Sequence, residues 1–378
     1  MRGDDASARR RTLQALWRPN LSALEQIAWF GLALSSVLYL ATVAVRRLFW
    51  KAFARKSKSI RVISVGNLTV GGNGKTPFTL YLARKMRERG IAVAIVSRGY
   101  GGSNVSAAIV SDGKSIALNA EQAGDEPVMM ARNFSGPIAI GRRRADALDL
   151  LEQFDDLRAA ILDDGFQHLR LKRDVDLLIM SAERGLGNGW TLPAGPMRER
   201  LGAIRRADGI VLLTSGSKRS ALSASQLGEL ATRPIFRGRL VPTVLVEPGA
   251  EGWRERPLTL AHRRALAVSG IADPSRFYAM LRDLEVDLVG VLEYPDHHRY
   301  SNSDWHRIAA AARDAEVIIT TEKDLTKLER FPFARDSLYA LRLEVAMGED
   351  EDRLLALVAG QAIASGTEPV RTNAALEV

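Results

Sequence analysis

The chain has 378 residues, 46% of them hydrophobic, which is enough for a large core and favours two domains or slightly more. It contains no cysteine, which excludes disulfides and thiolate metal sites. Its net charge of +9 does not predict a nucleic-acid partner, because residues 1–61 hold 12 of the 53 basic and 3 of the 44 acidic residues, and the rest of the chain is neutral.

The first predicted element is a membrane helix at about residues 26–45. This stretch has no charged residue and 15 apolar residues out of 20, which is long enough to cross a bilayer. Trp29 and Trp50 lie near its ends, where indole rings favour the headgroup region. Residues 46–61 then carry seven Lys and Arg and no acid, which favours an anionic leaflet and a body facing the cytoplasm, although five arginines also precede the helix. A buried core helix is the alternative.

Beyond Arg61, short β-branched runs alternate with helical patterns, which is typical of a parallel sheet with helices on both faces. Strands are predicted at about 61–66, 91–97, 107–111, 137–141, 159–163, 175–181 and 209–214. Helices are predicted at about 75–89, 124–133, 143–154, 197–206 and 223–232.

The extended segment 234–247 has two prolines and no helical period, so we interpret it as a strand-rich crossover into a second, smaller α/β lobe. That lobe contains a strand–loop–helix unit, a strand at 286–292, a helix at 303–314 and a strand at 316–320. The predicted organisation is an arm, helix and basic linker, a core domain, a second lobe and a tail, at 1–60, 61–235, 236–365 and 366–378.

Residues 65–77, VGNLTVGGNGKTP, join a predicted strand to a predicted helix, which is the setting of a phosphate-binding loop. The usual pattern G-x-x-x-x-G-K-[ST] has a glycine five residues before Gly74, where this chain has Thr69. The remaining glycines still let backbone N–H groups converge on an anion at a helix N-terminus. Lys75 is expected to reach the phosphates and Thr76 to bind Mg²⁺. The alternative is a glycine-rich turn with an incidental Lys-Thr pair.

Two adjacent carboxylates, Asp163 and Asp164, end the apolar strand predicted at 159–163. This is the position of a Mg²⁺-binding aspartate in nucleotide-binding sheets. Because neighbouring ionised carboxylates repel, a cation beside them is the natural arrangement. A solvated turn is the alternative.

Further polar clusters fall in predicted loops. Asp125 and Glu126 begin a helix, where a simple N-cap is the alternative. Arg198, just inside the helix predicted at 197–206, is suited to stabilise phosphate charge or to pair with a lipid phosphate or a nearby acid. For the segment GRRRADA at 141–147, a solvated helix face is the main interpretation and a phosphate contact the lesser one.

Two clusters lie in the second lobe. His297 and His298 follow Asp296, which favours a histidine that works with a carboxylate on a hydroxyl proton over a metal site. Lys323 and Asp324 follow a predicted strand. Selection of a nucleotide base and closure of a lobe interface are the two hypotheses for this pair.

The ordered motifs of this chain resemble those of the tetraacyldisaccharide 4′-kinase family, the lipid A kinases of Gram-negative envelopes. The resemblance covers residues from about 25 to 330, including the apolar helix. The motifs that carry it are VGNLTVGGNGKTP, SRGYGG, GDEP, LDDGFQH, LPAGPMRE, PDHHRY and TTEKD. One departure is Asn73, where the family commonly has threonine; Asn tolerates turns and keeps a polar side chain.

The resemblance implies a P-loop NTPase-like kinase at the inner membrane, with its catalytic domain facing the cytoplasm. It would use ATP and Mg²⁺ to phosphorylate the 4′-hydroxyl of a tetraacylated glucosamine disaccharide 1-phosphate, whose acyl chains stay in the membrane. A membrane-anchored P-loop ATPase that drives transport or assembly is the rival hypothesis.

The implied site has three groups of residues. The catalytic residues are Asp125, His297, Asp164 and Arg198. The ATP-binding residues are Thr69, Gly71, Gly72, Asn73, Gly74, Lys75 and Thr76. The Mg²⁺-binding residues are Thr76, Asp163, Gln167 and Glu199. The choice of His297 over His298 rests on motif spacing alone.

Overall fold

The structure, a computed structural model, describes residues 15–17, 21–57, 59–216, 220–249, 252–335 and 337–364. The predicted tail 366–378 and most of the N-terminal arm lie outside the described residues.

The predicted membrane helix forms helix α1, Ala23–Phe53. Ser22 begins it with a capping box, in which its hydroxyl accepts from the Glu25 backbone N–H and its own N–H donates to the Glu25 carboxylate. Within the described residues, Ala23–Trp50 is the only helical stretch long and apolar enough to cross a membrane, with a mean hydropathy of 1.8. Ten large apolar side chains of α1 are exposed, from Leu24 to Phe53, which is not the behaviour of a core helix.

The body alternates strands and helices as predicted. Its strands are β1 Arg61–Gly66, β2 Val93–Ser97, β3 Ala108–Ser111, β4 Ile138–Ile140, β5 Ala159–Asp163, β6 Val175–Ser181, β7 Gly209–Thr214, β8 Ile235–Gly249, β9 Gly252–Pro257, β10 Arg264–Ser269, β11 Asp287–Glu293, β12 Val317–Thr321 and β13 Leu338–Ala346. Its helices are α2 Lys75–Glu88, α3 Ala120–Ala123, α4 Asp125–Asn133, α5 Arg144–Leu151, α6 Ala224–Leu230, α7 Pro274–Asp283, α8 Asn302–Ala311, α9 Glu322–Leu328 and α10 Glu351–Ala364.

The strands form one mostly parallel sheet in the order β11-β10-β12-β13-β8-β7-β6-β1-β5-β2-β4-β3, with β9 paired to β8. The α/β prediction is therefore confirmed. Strand β1 lies in the middle, between β5 and β6. Val65 near the end of β1 pairs with Asp163 at the end of β5. This register brings the glycine-rich loop and the strand-end carboxylates to the same edge of the sheet.

Strand β8 joins the two predicted lobes. Its first residues, from Ile235 to Arg239, pair in parallel with β7, and its continuation pairs antiparallel with β13. The segment interpreted as a crossover is thus a single 15-residue strand that belongs to both halves of the sheet. Strands β9 and β13 were not among the predicted elements.

One predicted helix is wrong at its start. The helix predicted at 197–206 is a short 3-10 helix, Leu201–Arg206. Just before it, Met197 forms isolated β-bridges with Thr69 and Thr191. Arg198 follows Met197 in a bend beside the glycine-rich loop, where its backbone N–H donates to the Leu68 carbonyl, and not inside a helix.

Candidate active site

A cavity of about 510 Å³ lies at the edge of the sheet where β1 and β5 end. The glycine-rich loop and both strand-end carboxylates line it from one side, and Asp296, His297 and Lys323 line it from the second half of the chain. Apolar side chains complete the wall, among them Leu240, Phe277, Met280, Leu341 and Leu343. The cavity combines apolar and strongly charged side chains, which suits a nucleotide.

The glycine-rich loop has the backbone geometry of an anion cradle. Gly71 and Gly74 have φ angles of 108° and 80°, which L side chains rarely adopt. A Cβ at Gly71 would also lie 2.8 Å from a guanidinium nitrogen of Arg184. Gly74 is the N-cap of α2 and contributes no side-chain hydrogen bond, so the first amides of this helix are left to a ligand.

Thr69 and Asn73 brace this loop from inside. The Asn73 side-chain amide donates to the Thr69 hydroxyl at 2.9 Å, and the Asn67 amide donates to the Thr69 carbonyl at 2.6 Å. Both Thr69 and Asn73 are buried. Asn73 lines the cavity, whereas Thr69 is not among the described lining residues. Thr69 was predicted to bind ATP, but in this geometry its role is structural, because its hydroxyl faces Asn73.

The Asp163 carboxylate is buried, whereas the Asp164 carboxylate lies beside the cationic side chains of Lys75 and Arg198. Asp163 accepts from the Thr79 hydroxyl at 3.2 Å; burial, together with the negative charges of Glu126 and Asp164, raises its pKa to about 7. Asp164 has a left-handed φ of 51°, a strained conformation of the kind found at functional sites. Burial opposes its ionisation, but Lys75 and Arg198 outweigh this and lower its pKa to about 2.

Arg198 connects the carboxylates to the next loop. Its guanidinium donates to both oxygens of Asp164 at 2.9 Å and to the Gln167 side chain at 3.2 Å. Lys75 Nζ lies 3.6 Å from the same Asp164 carboxylate. Two cations thus converge beside the anion cradle, which suits a site for transferring phosphate.

The predicted Mg²⁺ ligands differ in their placement. Thr76 and Asp163 line the cavity. The Gln167 amide is held between Arg198 and the Asn67 carbonyl. Glu199 is buried in a two-point ion pair with Arg206, at 2.7 and 2.9 Å, and does not line the cavity in the described part of the chain. Both of its oxygens are therefore already used.

Among the described residues, no group of three or more His, Asp and Glu side chains is arranged to hold a metal ion. Mg²⁺ at nucleotide sites is bound by one or two protein groups together with phosphate oxygens and water. The buried Asp163, whose ionised form is disfavoured without a nearby cation, fits such a site.

Asp125 is buried and contacts His297, which lines the cavity, although 172 positions separate the two residues. His297 Nδ1 lies 3.1 and 3.2 Å from the two Asp125 oxygens. Burial opposes the charge on Asp125, but the His297 hydrogen bond and the ammonium groups of Lys323 and Lys327 lower its pKa well below the usual value. His298 instead contacts Asp304 at 3.0 Å, on the first turn of α8. The structure therefore brings His297, and not His298, to Asp125.

Among the residues that sequence reasoning missed are Arg276, which lines this cavity, and Lys327 and Thr79, which contact carboxylates of the site. Lys327 Nζ lies 3.3 Å from Asp125; it follows Lys323 by four residues, so helical spacing could have indicated that both face the same way. Thr79, which donates to Asp163, likewise follows Lys75 by four residues and so lies on the same face of α2. Arg276 lines the cavity, and its Nε and Nη2 atoms are buried with no hydrogen-bond partner in the described structure. No motif signalled Arg276.

A second cavity of about 370 Å³ is strongly basic and shares Arg98, Asp164 and Arg198 with the first. Its other lining residues are Arg46, Trp50, Arg142, Arg144, Gln167, His168, Leu169 and Arg170. The main interpretation of 141–147 as a solvated helix face is wrong for Arg144, which is buried and donates to the carbonyls of Gly141 and Asp163.

Helix α1 packs against the segment that carries Arg198. Ser36 donates to the Thr191 carbonyl at 2.9 Å and accepts from the Ala194 N–H at 3.1 Å. Tyr39 donates to the Arg198 carbonyl at 2.9 Å. The Arg46 side chain reaches the Gln167 carbonyl at 3.4 Å. One face of the apolar helix therefore forms part of the wall beside the basic cavity.

Comparison with known proteins identifies the family. Residues 27–362 match the family model LpxK, tetraacyldisaccharide-1-P 4′-kinase. Proteins named tetraacyldisaccharide 4′-kinase from Geobacter sulfurreducens and Syntrophus aciditrophicus are 42% and 40% identical; the matches cover 83% and 82% of this chain and 88% and 87% of the relatives. The crystal structure of LpxK from Aquifex aeolicus, described as an "apo" form in complex with ATP, has a TM-score of 0.69 and 31% identity, covering 85% of this chain and 96% of the other. The chain therefore belongs to the tetraacyldisaccharide 4′-kinase family.

Proposed function

We propose that this chain transfers the γ-phosphoryl group of ATP to the 4′-hydroxyl of a tetraacylated glucosamine disaccharide 1-phosphate, as a membrane-bound kinase of lipid A synthesis. Family membership supports the kinase activity. The observation that carries the site assignment is the convergence of the glycine-rich loop, Arg198 and His297 on one cavity, with Asp125 in contact with His297. Such a site has the cations and the hydroxyl-binding carboxylate that phosphoryl transfer needs.

ATP would place its phosphates on the backbone amides of residues 71–76, with Lys75 beside the β- and γ-phosphates. Thr76 and Asp163 would hold Mg²⁺, which neutralises phosphate charge when it is bound. Arg198, beside Asp164, would stabilise the charge on the transferring group.

Asp125 would orient the acceptor hydroxyl and accept its proton. Its carboxylate is ionised at neutral pH because the neighbouring His297 and lysines favour the charged form. A strong base is not required, since the attacking oxygen carries little positive charge until late in a loose phosphoryl-transfer transition state. His297 would hold the carboxylate in place through Nδ1.

The basic cavity would bind the sugar-phosphate headgroup. It adjoins the first cavity at Asp164 and Arg198 and is flanked by Arg46 and Trp50 of α1. The apolar side chains that α1 exposes would lie in the bilayer with the substrate acyl chains. We place the protein at the inner membrane with its body on the cytoplasmic side, because the basic end of α1 favours that leaflet.

The direct test is to incubate the membrane-bound protein with γ-labelled ATP, Mg²⁺ and the disaccharide 1-phosphate acceptor, and then to locate the label. We expect label on the 4′ position, and loss of labelling in Lys75→Met and Asp125→Asn. Lys85→Met is the matched control, because Lys85 forms ion pairs with Glu88 and Glu351 away from the cavity. ATP hydrolysis at full rate without the lipid would contradict the proposal and favour the ATPase.

A further inference from the structure

Arg276 lies in the first turn of α7 and lines the cavity of the candidate active site from the second half of the chain. Phe277 and Met280, which follow it by one and four residues, belong to the apolar wall of the same cavity. Within the described part of the chain, the Arg276 Nε and Nη2 atoms are buried and have no hydrogen-bond partner. A guanidinium group carries five N–H donors and no acceptor, so only a group that accepts can satisfy these atoms.

The carboxylates that act on Arg276 are those of Glu183 and Asp273, and both make their described hydrogen bonds to other groups. Glu183 accepts from a serine hydroxyl and from a backbone N–H. Asp273 accepts from the Arg184 guanidinium at 3.1 Å and from a serine hydroxyl at 2.7 Å. Burial lowers the pKa of Arg276, although the two carboxylates act in the opposite direction. Because an arginine keeps its proton in proteins, an anion that binds beside it would relieve this cost of burial.

Arg184 connects the start of α7 to the glycine-rich loop. A Cβ at Gly71 would lie 2.8 Å from an Arg184 guanidinium nitrogen, so this side chain packs directly against the loop. The same guanidinium forms an ion pair with Asp273, the N-cap of α7, at 3.1 Å. Gly71, Asp273 and Arg276 all line one cavity. The unpartnered donors of Arg276 therefore belong to the same cavity as the loop amides that cradle an anion.

We propose that Arg276 binds phosphate oxygens of the nucleotide, so that the bound nucleotide contacts the glycine-rich loop of the first half and α7 of the second. This inference rests on the proposed function only in that the cavity holds a nucleotide, and it does not depend on the lipid acceptor. A guanidinium group forms strong, charge-assisted and often two-point hydrogen bonds with phosphate. The base and ribose offer only neutral acceptors, and the apolar wall formed by Phe277 and Met280 suits the base.

The test is nucleotide affinity, measured by calorimetry on the full chain in detergent without any lipid acceptor. In Arg276→Met we expect the Kd for a non-hydrolysable ATP analogue to rise at least about tenfold. The Kd for inorganic tripolyphosphate, which has neither base nor ribose, should rise by a similar factor. Arg276→Lys keeps the charge but not the planar fork, so it should lose less affinity. Arg282→Met is the matched control, because Arg282 is an exposed arginine of the same helix that does not line the described cavity.

Thermal unfolding separates a binding role from a structural one. Arg276→Met removes a largely desolvated charge without leaving a described partner unpaired, so its thermal midpoint without nucleotide should be no lower than that of the wild type. The rise in midpoint at a fixed concentration of the ATP analogue should be smaller in the variant, because this rise depends on the Kd. A midpoint clearly lowered in the absence of nucleotide would indicate a structural role and overturn the proposal.

The remaining outcomes distinguish this inference from the proposed function. If Lys75→Met loses affinity for the ATP analogue and Arg276→Met does not, the inference is wrong while the nucleotide site stands. If Arg276→Met loses affinity for the ATP analogue but binds tripolyphosphate as the wild type does, the contact is to the base or ribose and the proposal is wrong. A wild type that binds no nucleotide would overturn both proposals. A wild type that binds ATP but does not label the 4′ position would contradict the proposed function alone.

Discussion

The Asn73 side-chain amide lies 2.9 Å from the Thr69 hydroxyl, inside the glycine-rich loop. Thr69 occupies the position of the missing first glycine, and Asn73 the position where the family commonly has threonine. The two departures from expectation are thus in direct contact. A buried hydroxyl needs a partner, and Asn73 supplies one while also lining the cavity.

Asn73→Ala should loosen the loop. It leaves the buried Thr69 hydroxyl without this donor, at a cost of about 1–3 kcal/mol. We expect a lower thermal midpoint and a KM for ATP raised several-fold, with a smaller change in kcat. The double variant with Thr69→Ala checks the contact, because two residues that act through one hydrogen bond lose less together than the sum of their separate losses. Strictly additive losses would contradict a stabilising role for the Asn73–Thr69 hydrogen bond.

Mg²⁺ binding should depend on pH through Asp163. Its raised pKa means that the carboxyl is largely protonated below about pH 7 when no cation is bound. Mg²⁺ affinity, measured by calorimetry in the presence of a non-hydrolysable ATP analogue, should therefore rise from pH 6 to pH 8. The raised pKa also means that Asp163 takes up a proton on folding between about pH 4 and pH 7. The stability that this group contributes therefore falls as the pH rises through that range.

Asp163→Asn is the variant that isolates this effect. It removes a buried charge, so the metal-free protein should be at least as stable as wild type at pH 8, while kinase activity is lost. Its residual nucleotide binding should no longer respond to Mg²⁺ as the wild type does. A large loss of metal-free stability at pH 8 would contradict the pKa assignment.

Arg198 should be more important for turnover than for binding. Arg198→Ala removes the group that contacts Asp164 and Gln167 at the junction of both cavities, and we expect kcat to fall by about 10²–10³. Arg198→Lys keeps the charge but not the planar fork, so it should recover only part of this loss. The exposed Arg205, in the following 3-10 helix, provides a control whose replacement by alanine should leave kcat unchanged.

The two faces of α1 should have separable roles. Leu34→Gln together with Leu38→Gln alters the exposed face and should move the protein toward the soluble fraction without lowering activity on detergent-dispersed substrate. Ser36→Ala leaves the Ala194 N–H without its acceptor and removes one of two donors to the Thr191 carbonyl, which keeps the Gly195 N–H. It should lower activity with little effect on membrane partition. Equal effects of the two changes on partition would contradict this division.

Deleting residues 1–45 combines both effects. The truncated protein should become soluble but lose activity, because Tyr39 no longer contacts the Arg198 backbone. Membrane association that persists after the deletion would assign the attachment to the basic stretch or to the body.

The sequence determined the class of fold, the apolar helix and the phosphate loop, because each depends on local pattern: strand period, apolar length, or glycines before Lys75. It also indicated Asp125 and His297, through a resemblance. It did not predict β9 or β13, and it placed Arg198 in a helix, whereas Arg198 lies in a bend that follows the bridges of Met197. It also proposed Glu199 as a metal ligand, although Arg206 occupies both of its oxygens.

Tertiary structure decided the contacts between distant segments. The choice between His297 and His298 follows from which ring reaches Asp125. The contact between Lys323 Nζ and the His297 ring follows from where α9 begins. Strand β8 decided that the two predicted lobes share one sheet, since it pairs with β7 and then with β13. Hydrogen bonds and charges act over a few ångströms in space, whatever the separation along the chain. Local sequence patterns therefore predicted the elements of this protein, and only their packing set the geometry of its site.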